Sequence, residues 1–223
     1  MPVAALINEA TAPVPGTMPP SPGPFTSGLV AINRAPAFTK RMAQHWQASA
    51  TYTLSWFWDA ENQPFSGLNI VPFAVAKDLG NDFTLGADDQ RHRFVFNGIW
   101  EAGKGVQLSA VHYFGAGIRS ANNWGADLRG IQGANGQGSL RLRPNGTIVA
   151  RNSFMQPANN KTDIRAQWRL PLKGRRGVDF IAEVFNAFNR TNYTLVTTES
   201  AANYGKPASG QFRTAQLGFR LTF

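Results

Sequence analysis

The 223-residue chain contains no cysteine. That excludes disulfide scaffolds, cysteine-ligated zinc, iron–sulfur centres and thiol catalysis. Acidic residues are scarce, 13 Asp and Glu against 22 Lys and Arg, which leaves a formal charge of +9. Such an excess of base admits nucleic acid, a membrane surface or an acidic ligand as partner. No apolar run approaches the roughly 18–20 residues that a membrane-spanning helix needs. The opening segment MPVAALINEATAPVPG has no basic n-region and no long apolar stretch, so no signal peptide is expected. No phosphate-cradling glycine loop, nucleophile elbow, HExxH pair or partnered carboxylate dyad occurs. The chain is therefore read as a non-enzyme with no catalytic residue, cofactor or resident metal. Helical membrane proteins are excluded; β-barrels are not.

Residues 1–27 hold Pro2, Pro13, Pro15, Pro19, Pro20, Pro22 and Pro24. Proline at that density fixes φ and removes backbone donors, so the segment reads as an extended linker or external loop. From residue 28 to 223 the recurring pattern has period two, the mark of strands with two different faces. Trp46, Ala48, Ala50, Tyr52, Leu54 and Trp56 alternate with Gln47, Ser49, Thr51, Thr53 and Ser55. Ala215, Leu217, Phe219, Leu221 and Phe223 alternate with Thr214, Gln216, Gly218, Arg220 and Thr222. Ile164, Ala166, Trp168 and Leu170 alternate with Asp163, Arg165, Gln167 and Arg169. Less pure alternation marks strands over 90–101, 106–116 and 178–189, and a weaker one over Leu29–Arg34.

The spacing predicts about seven strands in an all-β, antiparallel meander. Ala102–Gly105 and Pro171–Gly177 are short connections, whereas 57–89, 117–161 and 190–211 are long. Long structureless loops are uncommon in compact soluble domains. Here short and long connections alternate, which puts every long loop at one end of the sheet. That is the arrangement of a partial transmembrane β-barrel with long external loops and short periplasmic turns. Charges such as Arg165, Arg169, Glu183 and Arg220 on the polar face suit a hydrated lumen. Trp46, Trp56, Trp100 and Phe223 fall at strand ends, where interfacial aromatic girdles form. A soluble barrel would instead turn the apolar face inward.

Several segments resemble a known family. Ser49-Ala-Thr-Tyr-Thr-Leu-Ser55, Asp88-Asp-Gln-Arg-His-Arg93 leading into Phe94–Trp100, Ala182-Glu-Val-Phe-Asn-Ala-Phe-Asn-Arg-Thr-Asn192 and Gln216-Leu-Gly-Phe-Arg-Leu-Thr-Phe223 are similar to late strands of TonB-dependent outer-membrane receptors. The Oar-like group, with a carboxypeptidase-regulatory-like N-terminal domain, is the nearest in pattern. The resemblance covers residues 28–223 and implies a 22-stranded parent barrel around a plug. It implies a Gram-negative-type outer membrane, ligand uptake driven by the energy-transducing TonB system, and folding by the barrel assembly machinery. Leu217, Phe219, Leu221 and Phe223 would form the assembly signal of the last strand. With seven strands and neither plug nor TonB box, the chain is expected to be the C-terminal segment of such a receptor. Seven strands cannot close at the parent's curvature, so it is not expected to transport alone. A small autonomous outer-membrane barrel with an adhesive or structural role is the alternative reading. Nucleic acid is not expected as a partner, because the Lys and Arg residues are scattered without interleaved aromatics.

Two candidate clusters stand out. Asp88, Asp89, Arg91, His92 and Arg93 lie where a long loop enters a strand. They read chiefly as a network of paired charges fixing the loop base, since two arginines beside one histidine disfavour a cation. Arg119, Trp124, Arg129, Arg141 and Arg143 lie in the longest loop, where guanidinium and indole groups suit carboxylates or sugar rings. The imported ligand itself cannot be named from these residues. Asn186, Asn189, Arg190 and Asn192 read as turn chemistry.

Overall fold

The computed structural model describes residues 30–59, 83–128, 140–174 and 176–223. The proline-rich segment 1–27 and Arg129 lie outside them. The chain is all-β. Its main sheet contains β1 (Val30–Arg34), β2 (Ala37–Ala43), β3 (Trp46–Asp59), β4 (Thr84–Leu85), β5 (His92–Gly103), β6 (Val106–Gly115), β9 (Asn159–Pro171), β10 (Gly177–Phe185) and β13 (Thr214–Thr222). Two small ladders sit in the loops, β7 (Arg119–Ser120) with β8 (Phe154–Met155), and β11 (Asn192–Leu195) with β12 (Pro207–Gln211).

The hydrogen-bonded path runs β1-β3-β5-β6-β9-β10-β13, and every pairing on it is antiparallel. The seven-strand meander therefore matches the alternation in the sequence. Among the described residues no ladder joins β13 to β1 or β2, so the path is open at both ends. β1 and β2 pair with successive stretches of β3 and act as one long strand interrupted at Ala35 and Pro36. Proline there removes a ladder donor, which accounts for the break.

Three tight turns close one end of the sheet. Gln44 and His45 join β2 to β3 with φ of 54° and 67°. Two positive φ values in succession give the twist that a two-residue hairpin requires. Lys104 and Gly105 join β5 to β6, and only glycine fits position 105. Its φ is +80°, and an added Cβ would stand 2.2 Å from the Arg169 carbonyl oxygen. The third turn lies between Pro171 and Gly177. At the opposite end emerge the long connections β3–β5, β6–β9 and β10–β13. The sequence offers no element in them, yet they carry β4, the β7–β8 ladder and the β11–β12 ladder.

Several boundaries also move. β2 was not legible as a strand. β3 runs on to Asp59, and β10 stops at Phe185 rather than 189, because Asn186 takes a left-handed φ of 52°. Its side chain supports the turn, accepting from the Arg190 N–H at 2.9 Å and donating to the Arg190 and Gln211 carbonyls at 2.8 and 3.1 Å.

Register places whole rows of like side chains side by side. Trp46, Trp100, Leu108, Ala166, Ala182 and Leu217 form one row across six strands, and Val106, Trp168, Phe180 and Phe219 another. This apolar face is open: Leu217 is 87%, Phe219 72% and Leu221 57% exposed. The opposite face carries paired charges. Asp179 is directly across from Arg169 on one neighbouring strand and Arg220 on the other, and it accepts from both guanidinium groups. Its carboxylate is only 2% exposed between them. Two rows further on the same face, Glu183 accepts from Arg165 and Gln216.

Burial is correspondingly inverted. Among the described residues five hydrophobic side chains are buried (Ala48, Trp56, Trp58, Phe83 and Val149), against ten polar or charged residues. Trp56 is a correction. Instead of ending a strand in an exposed girdle, it packs with Trp58 and Phe83, flanked by Ile32, Leu54 and Leu85, and the Arg91 guanidinium lies 4.7 Å from its ring centroid. Trp46, Trp100 and Phe223 are exposed.

Candidate functional site

The polar side of the sheet meets the long loops in a cleft of about 440 Å³. Asp88, Gln90 and Arg93 come from the base of the β3–β5 loop and the start of β5, and Tyr113 from the polar face of β6. Gln156 and Asn159 come from the approach to β9, and Asn192, Tyr193 and Gln211 from the β11–β12 ladder. Three loops far apart in sequence thus converge on one hydrogen-bonding surface.

Each wall is held in place. Gln90 Nε2 donates to the Ala116 carbonyl at 3.0 Å, while its Oε1 accepts from Tyr113 Oη at 3.0 Å and Arg93 Nε at 3.1 Å. Gln156 Oε1 accepts from the Leu195 N–H at 2.8 Å, and Asn192 bridges the Asn160 N–H and carbonyl at 2.8 and 3.0 Å. Gln156 and Asn192 are held by backbone groups and Gln90 also by Tyr113 and Arg93, while the buried Asn159 Oδ1 has no partner among the described residues, so the cleft presents a largely fixed polar surface. Such a surface suits a hydrogen-bonding ligand in preference to an apolar one.

The loop-base cluster divides. Asp88 and Arg93 reach the cleft. Asp89 turns inward, accepts from the Phe57 N–H at 2.9 Å and lies 3.8 Å from Arg91. Burial pushes the Asp89 carboxyl above its usual range, opposed by the Phe57 N–H bond and then by Arg91 and Arg119. His92 points to the apolar face and hydrogen-bonds Tyr52 Oη through Nδ1 at 2.7 Å. Of the five, Asp89 and Arg91 pair with each other, His92 turns to Tyr52, and Asp88 and Arg93 face the cleft. Among the described residues no three His, Asp or Glu side chains gather as metal ligands.

The long-loop residues make contacts within and between the loops. Arg119, Trp124, Arg141 and Arg143 are not among the residues lining the cleft; Arg143 ties its loop to the next, whereas Arg119 and Arg141 bond carbonyls of their own loop. Arg143 grips Glu199 with two parallel bonds, Nε to Oε2 at 2.6 Å and Nη2 to Oε1 at 2.7 Å. This joins the β6–β9 loop to the β10–β13 loop. The grip holds the Glu199 carboxyl below its ordinary range and raises Arg143. Backbone bonds reinforce it, from Glu199 N–H to Asn123 O at 2.8 Å and from Ser200 N–H to Trp124 O at 3.0 Å. Arg141 is buried and donates from Nε to the Val149 carbonyl at 2.8 Å. Arg119 donates to the Asn152 carbonyl at 3.4 Å. Arg151, not singled out in the sequence, is buried against Asp59 at the end of β3.

Sequence reasoning also missed Gln90, Tyr113, Gln156, Asn159 and Tyr193. Tyr113 alone carried a signal, being an aromatic ring in a polar-face position of β6. No protein-family model matches the chain, and no curated protein sequence matches it.

Proposed function

We propose that this chain is a segment of an outer-membrane receptor barrel, the C-terminal part of a TonB-dependent, Oar-like receptor that takes up a polar ligand. One observation carries the membrane part of the reading: large apolar side chains occupy the open face while carboxylates and guanidinium groups are paired on the other. In water, a contiguous apolar face of this extent marks an interaction or membrane surface. In a bilayer it meets acyl chains, and the Arg169–Asp179–Arg220 row lies toward a hydrated lumen. The short turns then face the periplasm and the tied loops face outward, so the cleft bearing Arg93, Tyr113 and Tyr193 opens toward arriving ligand.

The open path supports membership of a larger barrel. An unpaired strand edge in hydrocarbon leaves N–H and C=O groups unsatisfied at about several kcal/mol each. β13 and the β1–β2 edge therefore require neighbouring strands. Coupling to an inner-membrane energy source rests on the sequence resemblance.

The absence of native cysteine gives a clean test. Single cysteines at 215 through 221 are spin-labelled in the chain residing in outer-membrane vesicles, and their collisions with oxygen and with an aqueous nickel chelate are measured. Odd positions should favour oxygen and even positions the chelate, with period two. No alternation, or the opposite phase, would remove the proposal.

A further inference from the structure

We infer that the apolar face carries a seat for one anionic phospholipid beside Lys40, with the lipid phosphate on the ammonium and an acyl chain in the adjoining depression. This rests on the membrane reading and adds the headgroup and the place. The depression measures about 530 Å³ and lies at the turn end of the sheet. Ala48, Gly98 and Ala110 form its floor, Phe96 one wall, and Trp46 and Trp100 the other. Its surface is almost wholly apolar and concave, which fits a flexible hydrocarbon chain.

Lys40 supplies the charge. It lies opposite Ala48 in the β2–β3 ladder, which puts it on the apolar face at the edge of the floor. Its Nζ donates to the Ala43 and Trp46 carbonyls at 2.8 and 2.9 Å and stands 3.7 Å from the Trp46 ring centroid. An ammonium has three donors, so one remains for a phosphate oxygen. The stem is pinned at interfacial depth, with the head toward the turns.

The Lys40 ammonium selects the headgroup, and its surroundings offer little competing negative charge. Arg41, Lys104, Lys173 and Arg176 stand at the same end of the sheet and are exposed. Apart from Asp179, held between Arg169 and Arg220, the carboxylate at this end among the described residues is Glu101, 4.0 Å from His45 Nδ1. An anionic headgroup is favoured over a zwitterionic one by about fivefold for the one cation in direct contact with it. A free anion would use Lys40 but leave the depression empty. A glycerophospholipid joins a phosphate to an acyl chain at the spacing the two features ask for, so it is the occupant to which the geometry commits.

The test uses the barrel that contains this chain, purified from outer membranes and reconstituted in phosphatidylcholine vesicles doped with phosphatidylglycerol or phosphatidylcholine brominated on the acyl chains, which quench nearby indoles. Brominated phosphatidylglycerol should quench the wild type with a relative binding constant about fivefold above that of brominated phosphatidylcholine. Lys40→Gln should bring the ratio to near one, Lys40→Arg should keep it, and Lys173→Gln should leave it unchanged. Gly98→Leu should also abolish the preference, since even a Cβ there stands 3.3 Å from Phe96 Cζ. Equal quenching of the wild type by both lipids would overturn the site. So would a Lys173→Gln loss as large as that of Lys40→Gln, which would signify a diffuse surface potential. No quenching by either lipid would instead strike the membrane reading itself.

Discussion

Glu199→Gln offers the sharpest check on how the loops are held. The substitution keeps the shape and one acceptor but removes the charge that Arg143 grips through two bonds of 2.6 and 2.7 Å. Hydrogen bonds to charged groups contribute about 1.5–3 kcal/mol when buried, and exposed ion pairs about 0.2–1 kcal/mol. The pair lies between these limits, with the Arg143 side chain 32% and Glu199 14% exposed. A local loss of about 1–2 kcal/mol follows, a factor of about 5–30 in the opening equilibrium. The amides of Glu199 and Ser200 donate to Asn123 and Trp124 across the same junction. Their hydrogen-exchange protection at pH 7 should therefore fall about 5–30-fold.

The pH dependence has a definite sign. The Glu199 carboxyl is held low by Arg143, so its stabilisation is full above the unfolded value of about 4.3 and vanishes as pH falls through the folded one. Wild-type protection, corrected for intrinsic exchange, should decline on acidification below about pH 4, whereas Glu199→Gln should show no such decline. Equal protection in the two proteins at pH 7, or the same acid response in both, would refute the assignment.

Other expectations follow from burial and backbone geometry. Trp56→Ala empties the centre of the Trp58–Phe83 cluster and should destabilise the loop end by about 3 kcal/mol, read from the unfolding midpoint in urea. Asn186→Ala should cost about 1–2 kcal/mol more than Asn186→Gly, because both lose the side-chain bonds while only glycine accepts φ of 52° freely. Equal losses would mean that the left-handed turn does not constrain the position. Asp89 has the opposite linkage to Glu199. The penalty of its raised carboxyl grows as pH rises from the unfolded value to the folded one and is constant above it, so Asp89→Asn should change stability at pH 7 by under about 1 kcal/mol and flatten the profile across that acidic window.

The meander was legible because Trp46–Trp56 and Ala215–Phe223 alternate almost without fault, and a period of two leaves little choice of element. β2 escaped because Lys40 occupies an apolar-face position and a register shift follows it before Ala43. The pattern is broken at the residue that reaches back to the turn. The end of β10 escaped because Phe185 and Phe188 continue an apolar run while Asn186 has already left the strand. The cleft was half visible: Asp88 and Arg93 advertise themselves by charge. Gln156 and Tyr193 reach it through ladders between distant loops, which no local pattern encodes. The arginines of the long loop were conspicuous as cations, but their partners Glu199, Val149 O and Asn152 O are set by tertiary approach.

The free side of β13 dictates what may lie next to it. In the proposed barrel, an antiparallel neighbour would have to present its own apolar residues level with Ala215, Leu217, Phe219 and Leu221. Sliding that neighbour by one residue would point all of them the wrong way. Half of the conceivable alignments are thereby forbidden before any side-chain fit is considered, so this edge acts as a parity filter on its future companion.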